Sequence, residues 1–274
     1  MPLTLVPTPI GNLEDITLRA LRVLRNADLI ACEDTRTSSV LLRRYRIAAP
    51  LVPFHLHNER ACLPRLMAAL REGRNVAVVS DAGTPGISDP GWILLRAALD
   101  EGIEADVLPG PSALLPALLL SGLTPHPFLF LGFPPEKPGA RGELFQSLSG
   151  VPWTLCFYVS PHKAERQIAE MAEIWGDRRA ALVREISKVY QESIRAPLSG
   201  LIARLGQGVK GELVLVVEGR VSKDEDDGEW RAAADALRAE GATVRSVVEA
   251  VTARYPVAKN AVKAYLLRGR EEAG

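Results

Sequence analysis

The run Val76-Ala77-Val78-Val79 is apolar at every position. A strand facing water on one side alternates apolar and polar residues; a strand without alternation is buried on both faces, as in a parallel sheet covered by helices. Short runs at Leu3–Val6 and Leu29–Cys32, and one beginning at Asp106–Leu108, read the same way. Segments of helical period lie between them. Thr17–Arg25 places Leu18, Leu21 and Leu24 on one face, with Asp15 or Thr17 as N-cap. Leu63–Leu70 stops at Gly73, Trp92–Leu99 closes at Gly102, and Ser112–Leu120 follows. This alternation predicts a mostly parallel α/β sheet.

A second block begins near Phe128. Strands are expected at Phe128–Leu131, Thr154–Val159, Ala181–Arg184, Val189–Arg195 and Leu213–Val217. Ala181–Arg184 and Val189–Arg195 are close enough to form a hairpin, so this sheet is expected to be mixed. Pro134, Pro135, Pro138 and Gly139 read as a loop. Residues 223–229 hold five acids and one base and read as a solvated linker. Beyond them, Trp230–Leu237, Val244–Ala253 and Ala258–Leu267 predict three short helices. Residues 241–270 carry six bases against Glu249 alone, a net +5. Two readings fit that tail: a helix-turn-helix module or a helical cap. The boundaries expected are 1–122, 123–222 and 223–274.

Of the 274 residues 47% are hydrophobic, enough for a large core, and 24% are charged. Lys plus Arg equals Asp plus Glu at 33 each, so any affinity for nucleic acid must come from local patches. Cys32, Cys62 and Cys156 form no CxxC pair, which suggests a reducing compartment. The start MPLTLVPTPIGN lacks a basic n-region, and the apolar run 113–120 is too short to span a bilayer. The expected location is the cytoplasm, with no membrane partner.

Several chemistries are unsupported. The sequence has no GxxxxGK[ST], GxSxG or HExxH, and the first strand–turn, Pro7-Thr8-Pro9-Ile10-Gly11-Asn12, is not GxGxxG. His55, His57, His126 and His162 have no metal-ligand spacing with cysteine, so no metal site is predicted. What stands out is the loop Ser80–Gly91, with three Gly, two Pro and two Asp, after one apolar strand and before a helix. In open α/β sheets ligands bind outside the carboxyl ends of strands, and glycine lets backbone approach them. Pro109–Ala113 occupies the equivalent place after the next strand. A third cluster is Glu33-Asp34-Thr35-Arg36, followed by Arg43, Arg44 and Arg46 with no acid before Glu59. With Tyr45, His55, His57 and Asn58 nearby it reads either as a nucleic-acid face or as a solvated helix.

These segments occur in a fixed order: Val6–Leu13, Glu33–Arg36, His57-Asn58-Glu59, Ser80–Gly91, Pro109–Ala113, Gly132–Pro135, Phe157-Tyr158, Ser160-Pro161-His162, Arg184-Glu185 and Lys210-Gly211-Glu212. Together they resemble the ribosomal RNA small subunit methyltransferase I family of the tetrapyrrole methylase superfamily. The resemblance runs from residue 3 to about 219, and Ala258–Ala261 resembles that family's small helical domain. It implies two α/β domains of the class III methyltransferase type with a small C-terminal helical domain. It implies S-adenosylmethionine in the cleft between the α/β domains, and a homodimer. The implied cofactor residues are Pro9, Asp81, Gly83, Ser112, Ala113 and Tyr158, with Ile186 and Leu213 as further members. Tetrapyrrole-acting relatives carry Gly-Asp-Pro where this chain has Ser80–Pro85. That departure fits the rRNA branch and leaves the residue-by-residue match after Asp81 open.

The implied reaction is 2′-O-methylation of a cytidine ribose in the decoding centre of 16S rRNA, within the 30S subunit. Its hydroxyl attacks better once its proton is removed. Glu33, Asp34, His57 and Glu59 are the candidate bases, while positioning alone is the alternative. Glu33–Arg36 also reads as an ion pair fixing a loop. Arg36, Arg43, Arg44, Arg46, Lys259 and Lys263 are the candidate RNA contacts. A small tetrapyrrole acceptor, or a non-enzymatic RNA binder, are the competing readings.

Overall fold

A computed structural model describes residues 2–206, 208–220, 227–255, 257 and 259–271. The chain divides into two compact units, residues 1–219 and 220–274.

The first unit holds two five-stranded sheets. In the first, β1 (Leu3–Leu5), β2 (Leu29–Cys32), β3 (Leu51–Pro53), β4 (Val76–Val79) and β5 (Ala105–Val107) lie in the order β3-β2-β4-β1-β5, every pair parallel. Alternate residues go to opposite faces, as the pleat requires. Leu3, Leu5, Ala31, Val76 and Val78 pack on α3 (Glu59–Arg71) and α4 (Trp92–Asp100). Val6, Ile30, Cys32, Ala77 and Val79 pack on α1 (Leu18–Arg25) and α2 (Thr35–Arg44). Both faces are covered, which is why Val76–Val79 shows no alternation. Thr17 caps α1 by accepting the Ala20 N–H at 3.0 Å.

The second sheet has the order β6-β7-β10-β8-β9. Its strands are β6 (Phe128–Phe130), β7 (Thr154–Val159), β8 (Arg179–Arg184), β9 (Glu192–Pro197) and β10 (Leu213–Val217). Only β6 and β7 are parallel, so the sheet is mixed. One face is covered by α6 (Pro138–Leu148), α7 (Pro161–Trp175) and α8 (Leu198–Leu205) around Phe145, Phe157 and Trp175. The other face takes α5 (Leu114–Ser121), whose Ala117 and Leu118 pack on Cys156, Val183, Val214 and Val216. Thus α5 follows the last strand of the first sheet but is buried against the second. It ends at Gly122 in a left-handed cap, φ 72°.

Four local expectations change. Pro138 and Gly139 are helical, because a proline in the first turn has no N–H to lose. Val189–Gln191 belongs to the β8–β9 loop, and β9 starts at Glu192. Helix α3 begins at Glu59, a turn earlier than the leucine spacing suggests. Residues 223–226 of the acidic stretch lie outside the described residues, while Asp227 already opens a helix.

Among the described residues the second unit holds three helices, α9 (Asp227–Ala239), α10 (Val244–Arg254) and α11 (Lys259–Glu271). They enclose Trp230, Ala234, Val247, Val251, Val262 and Leu266. Among the described residues no helix is long and apolar enough to cross a membrane.

One charged group is central to the second sheet's helical layer. The Arg141 side chain on α6 is fully buried. Its guanidinium forks onto Glu170 of α7 at 2.5 and 2.6 Å and donates to the carbonyls of Pro135 and Glu136 at 3.0 and 2.9 Å. Removing the buried Arg141 deprives the Pro135 and Glu136 carbonyls of their donor and leaves Glu170, 29% exposed, with Arg166 at 3.7 Å. We expect Arg141→Met to lower unfolding free energy by about 3 kcal/mol, and Arg141→Lys to recover little of it because an ammonium lacks the planar fork. Urea denaturation checks this; a loss well under 1 kcal/mol for Arg141→Met would show the network to be dispensable.

Candidate active site

The carboxyl ends of β1, β2, β4 and β5 point the same way, and the loops leaving them meet there. Thr8 and Gly83 exchange backbone hydrogen bonds, both 2.9 Å, which ties the loop after β1 to the loop after β4. The Thr8 hydroxyl adds a bond to the Ser80 carbonyl at 3.0 Å. Gly83 has φ +81°, where a side chain would be strained. A Cβ at Gly110 would come within 2.7 Å of Pro7, so the loop after β5 also presses against the loop after β1.

These loops form one wall of a cavity of about 450 Å³. Glu33, Asp81, Gly83, Asp89, Ser112 and Ala113 come from the first sheet's side. Phe130, Phe133, Tyr158, Ile186, Glu212 and Leu213 come from the second. Phe130 and Phe133 flank the Tyr158 ring at 4.9 and 5.5 Å between centroids. The second side is mainly aromatic and apolar, with Glu212 its one carboxylate, while the first carries Glu33, Asp81 and Asp89 and bare backbone.

The carboxylates are not alike. Burial raises the Glu33 pKa, and the nearby Asp81 charge adds to it. Partial burial also raises Asp81, although its Oδ1 accepts the Asp34 N–H at 3.1 Å. Asp89 is pushed up to about 6, first by burial and then by the charges of Glu33 and Asp81. Asp34 goes the other way, to about 2, because the Arg36 side chain and backbone N–H both bond to it. Burial raises the Tyr158 hydroxyl, with Asp89 adding to the effect.

Of the residues singled out from the sequence, Glu33, Asp81, Gly83, Ser112, Ala113, Tyr158, Ile186 and Leu213 line this cavity. Pro9 lines a neighbouring one of about 320 Å³, with Thr8, Gly11 and Ser38; Asp81 borders both. Asp34 caps α2 and is held by Arg36, the ion-pair arrangement. His57 is exposed before α3 and Glu59 is the first residue of that helix; neither lines the cavity. Arg36, Arg43 and Arg44 lie on α2, and Arg46 follows it at φ 53°. Lys259 and Lys263 are exposed on α11 in the second unit. Asp89, Glu212 and Phe133 were not singled out. Each stands inside a motif already quoted, but nothing in one sequence marks which member of a loop turns inward. Among the described residues no group of three His, Cys, Asp or Glu is placed to hold a metal ion.

The raised Asp89 pKa makes stability depend on pH. Between the unfolded value near 3.8 and the folded value near 6, the folded chain holds a proton that the unfolded chain has released. Stability from this group therefore falls as pH rises through that window and stays lower above it. Asp89→Asn removes the penalty. We expect it to stabilise the ligand-free protein by about 1–2 kcal/mol at pH 8, allowing for solvent screening, and not at all below pH 4. Calorimetric melting at both pH values checks this; an equal gain at each would sink the assignment.

Residues 2–202 match the family model for tetrapyrrole (corrin/porphyrin) methylases. Among curated proteins, "Ribosomal RNA small subunit methyltransferase I" of Mesorhizobium japonicum is 42% identical, over 98% of this chain and 88% of the relative. Its namesake in Bacillus subtilis is 39% identical over 95% and 87%, and that of Streptococcus pyogenes serotype M3 44% over 79% and 76%. Among solved structures, the uroporphyrin-III-C-methyltransferase of Thermus thermophilus superposes with a TM-score of 0.57 at 24% identity, over 79% of this chain and 93% of that one. A diphthine synthase gives 0.60 at 16% identity, over 79% and 89%. The fold is thus a known one, and the chain belongs to the tetrapyrrole (corrin/porphyrin) methylase family, among the ribosomal RNA small subunit methyltransferase I proteins.

Proposed function

We propose that this chain is an S-adenosylmethionine-dependent methyltransferase that modifies the 2′-oxygen of a cytidine ribose in 16S rRNA, acting on the 30S subunit. The observation that carries this reading is the degree of similarity. Proteins named "Ribosomal RNA small subunit methyltransferase I" are 39–44% identical over 79–98% of the chain, against 24% over 79% for the uroporphyrin methyltransferase structure, and the Mesorhizobium and Bacillus relatives take in the helical unit as well. A tetrapyrrole acceptor would leave the basic stretch 241–270 of that unit without a purpose.

The cavity fits the cofactor. Its aromatic and apolar wall, with Phe133, Tyr158, Ile186 and Leu213, suits a nucleoside. Its Glu33, Asp81 and Asp89 carboxylates suit a cationic centre and ribose hydroxyls. Backbone at Gly83 and at Ser112–Ala113 leaves room for close approach. When bound, S-adenosylmethionine supplies an electrophilic methyl group. The protein's part is to align the acceptor hydroxyl, exclude water and hold its proton. Glu33 and Asp89 are the groups placed in the cavity to take that proton. A carboxylate with a pKa near 6 is ionised at neutral pH yet more basic than an ordinary one. Asp34, fixed by Arg36, serves the loop instead.

Residues 1–122 and 123–222 act as the two lobes of the cleft in this reading, and the cytoplasm is its setting. Two copies are proposed to pair, which would cover apolar side chains left in water, among them Trp92 and Leu99 on α4 and Leu115 and Leu119 on α5. Arg43, Arg44 and Arg46, with Lys259 and Lys263, are proposed as phosphate contacts.

Methyl transfer from labelled S-adenosylmethionine to unmodified 30S subunits, naked 16S rRNA and a reduced tetrapyrrole tests the reading directly. Label on one cytidine ribose is expected; label on the tetrapyrrole alone overturns the substrate. Asp81→Ala is expected to weaken cofactor binding in calorimetry by about tenfold, the scale of one hydrogen bond to a charged group. Reversing Lys259 and Lys263 to Glu together should weaken RNA binding and flatten its salt dependence; an unchanged salt slope removes them from the interface.

A further inference from the structure

The loop joining β8 to β9, residues 185–191, combines strain, anchorage and exposure. Glu185 and Ser187 adopt φ 51° and 67°, the left-handed region that residues with side chains avoid. Such strain persists only where surroundings impose it, and it gathers at ligand clamps. Here the surroundings are explicit. The Glu185 N–H donates to the Glu212 carbonyl, and the Glu212 N–H donates to Glu185 Oε1, both at 3.0 Å. Lys188 Nζ bridges Glu185 Oε1 at 2.9 Å and Glu212 Oε2 at 3.1 Å. The Ser187 N–H donates to Gln191 Oε1 at 2.8 Å, and the Ser187 hydroxyl donates to Asp15 across the cleft. A Cβ on Gly11 would stand 2.4 Å from Lys188 Cγ, so the loop also rests against the loop after β1.

Ile186, one end of this loop, is buried and lines the cavity. Its tip does the opposite. Val189 is 93% and Tyr190 75% exposed, two apolar side chains held in water by a braced backbone. Neither contributes to any core of the described residues. Lys210, in the facing loop whose carbonyl accepts from Arg184, is exposed.

We infer that the Val189–Tyr190 tip is a stacking platform for an unpaired base of the RNA strand that delivers the acceptor nucleotide to the cleft. The inference rests on the RNA reading above and names a contact within it. Three observations favour a nucleic-acid base over another protein surface. The tip is continuous, through Ile186, with the cavity where the acceptor must enter. A tyrosine ring 75% exposed beside a small aliphatic neighbour offers a flat face the size of a base. The adjoining Lys210 supplies a cation of the kind that meets phosphate.

The test uses the full chain and three tyrosine variants, Tyr190→Ala, Tyr190→Phe and Tyr190→Trp. The probes are a fluorescein-labelled single-stranded oligoribonucleotide containing cytidine, read by anisotropy, and unmodified 30S subunits, read by sedimentation. Tyr190→Ala is expected to raise the Kd for RNA about tenfold, within the range one stacked base is worth. Phe and Trp should restore it. The Kd for S-adenosylmethionine should hold throughout, as should the melting temperature. Equal RNA affinity for wild type and Tyr190→Ala would overturn the inference while leaving the function intact. So would loss of self-association in Tyr190→Ala, which would place the tip between two copies of the chain. If the unaltered chain binds cofactor but no RNA of either kind, the functional reading itself falls and takes this one with it.

Discussion

Thr8 and Gly83 exchange two backbone hydrogen bonds just beyond the ends of β1 and β4. Without that exchange the loops leaving adjacent parallel strands would be free to splay. With it, the turn at Pro7–Asn12 and the long loop 80–91 are one object, and Asp81 is fixed at its edge. Gly83 is the residue that permits the geometry, since its φ of +81° is one that a side chain resists. The cavity wall, the position of Asp81 and the Asp34 N–H that it accepts all follow from this clasp. The second sheet supplies a rigid opposing wall, because β10 is buried at the centre of its sheet and begins at the cavity.

The acidic groups show how one environment separates chemically identical side chains. Asp34 and Asp81 are joined by a single hydrogen bond, yet the first is held low by Arg36 and the second raised by partial burial. Glu33 and Asp89 are both half-buried at the cavity and repel one another. Divergence of this kind is characteristic of sites where protons or charge are handled, because a fold built for stability alone would pair or expose such groups.

The sheet strands are readable because burial on both faces leaves a continuous apolar run: β2, β4 and β10 carry it over their whole length, and β7 carries it after Thr154. The short edge strand β3, three residues ending in Pro53, carries no such signal. Helix α2 begins Thr-Arg-Thr-Ser-Ser, polar and partly β-branched, and shows itself mainly as an arginine cluster. Helix α7 buries Ala164, Ile168, Met171 and Trp175 at helical spacing, but its opening Ser-Pro-His drew notice as a motif instead. The cavity was half legible. Gly- and Asp-rich loops mark the carboxyl ends of parallel strands, while Asp89, Glu212 and Phe133 depend on how two sheets approach. That approach is set by α5, whose sequence is apolar on nearly every side because it leaves one sheet and is buried on the other. Local periodicity cannot say which sheet will receive it.

The crowded carboxylates also have a consequence for binding heats. A cationic ligand entering beside Glu33, Asp81 and Asp89 favours their ionised forms, so part of the proton load carried by Asp89 near pH 6 must leave as the ligand arrives. Association is then an exchange of one positive charge for another. Its apparent affinity rises with pH, and the enthalpy measured for it contains the protonation heat of whatever buffer receives the proton. Near pH 6, heats from phosphate and from imidazole buffer will therefore differ for the same complex, by an amount that counts the protons the cleft releases.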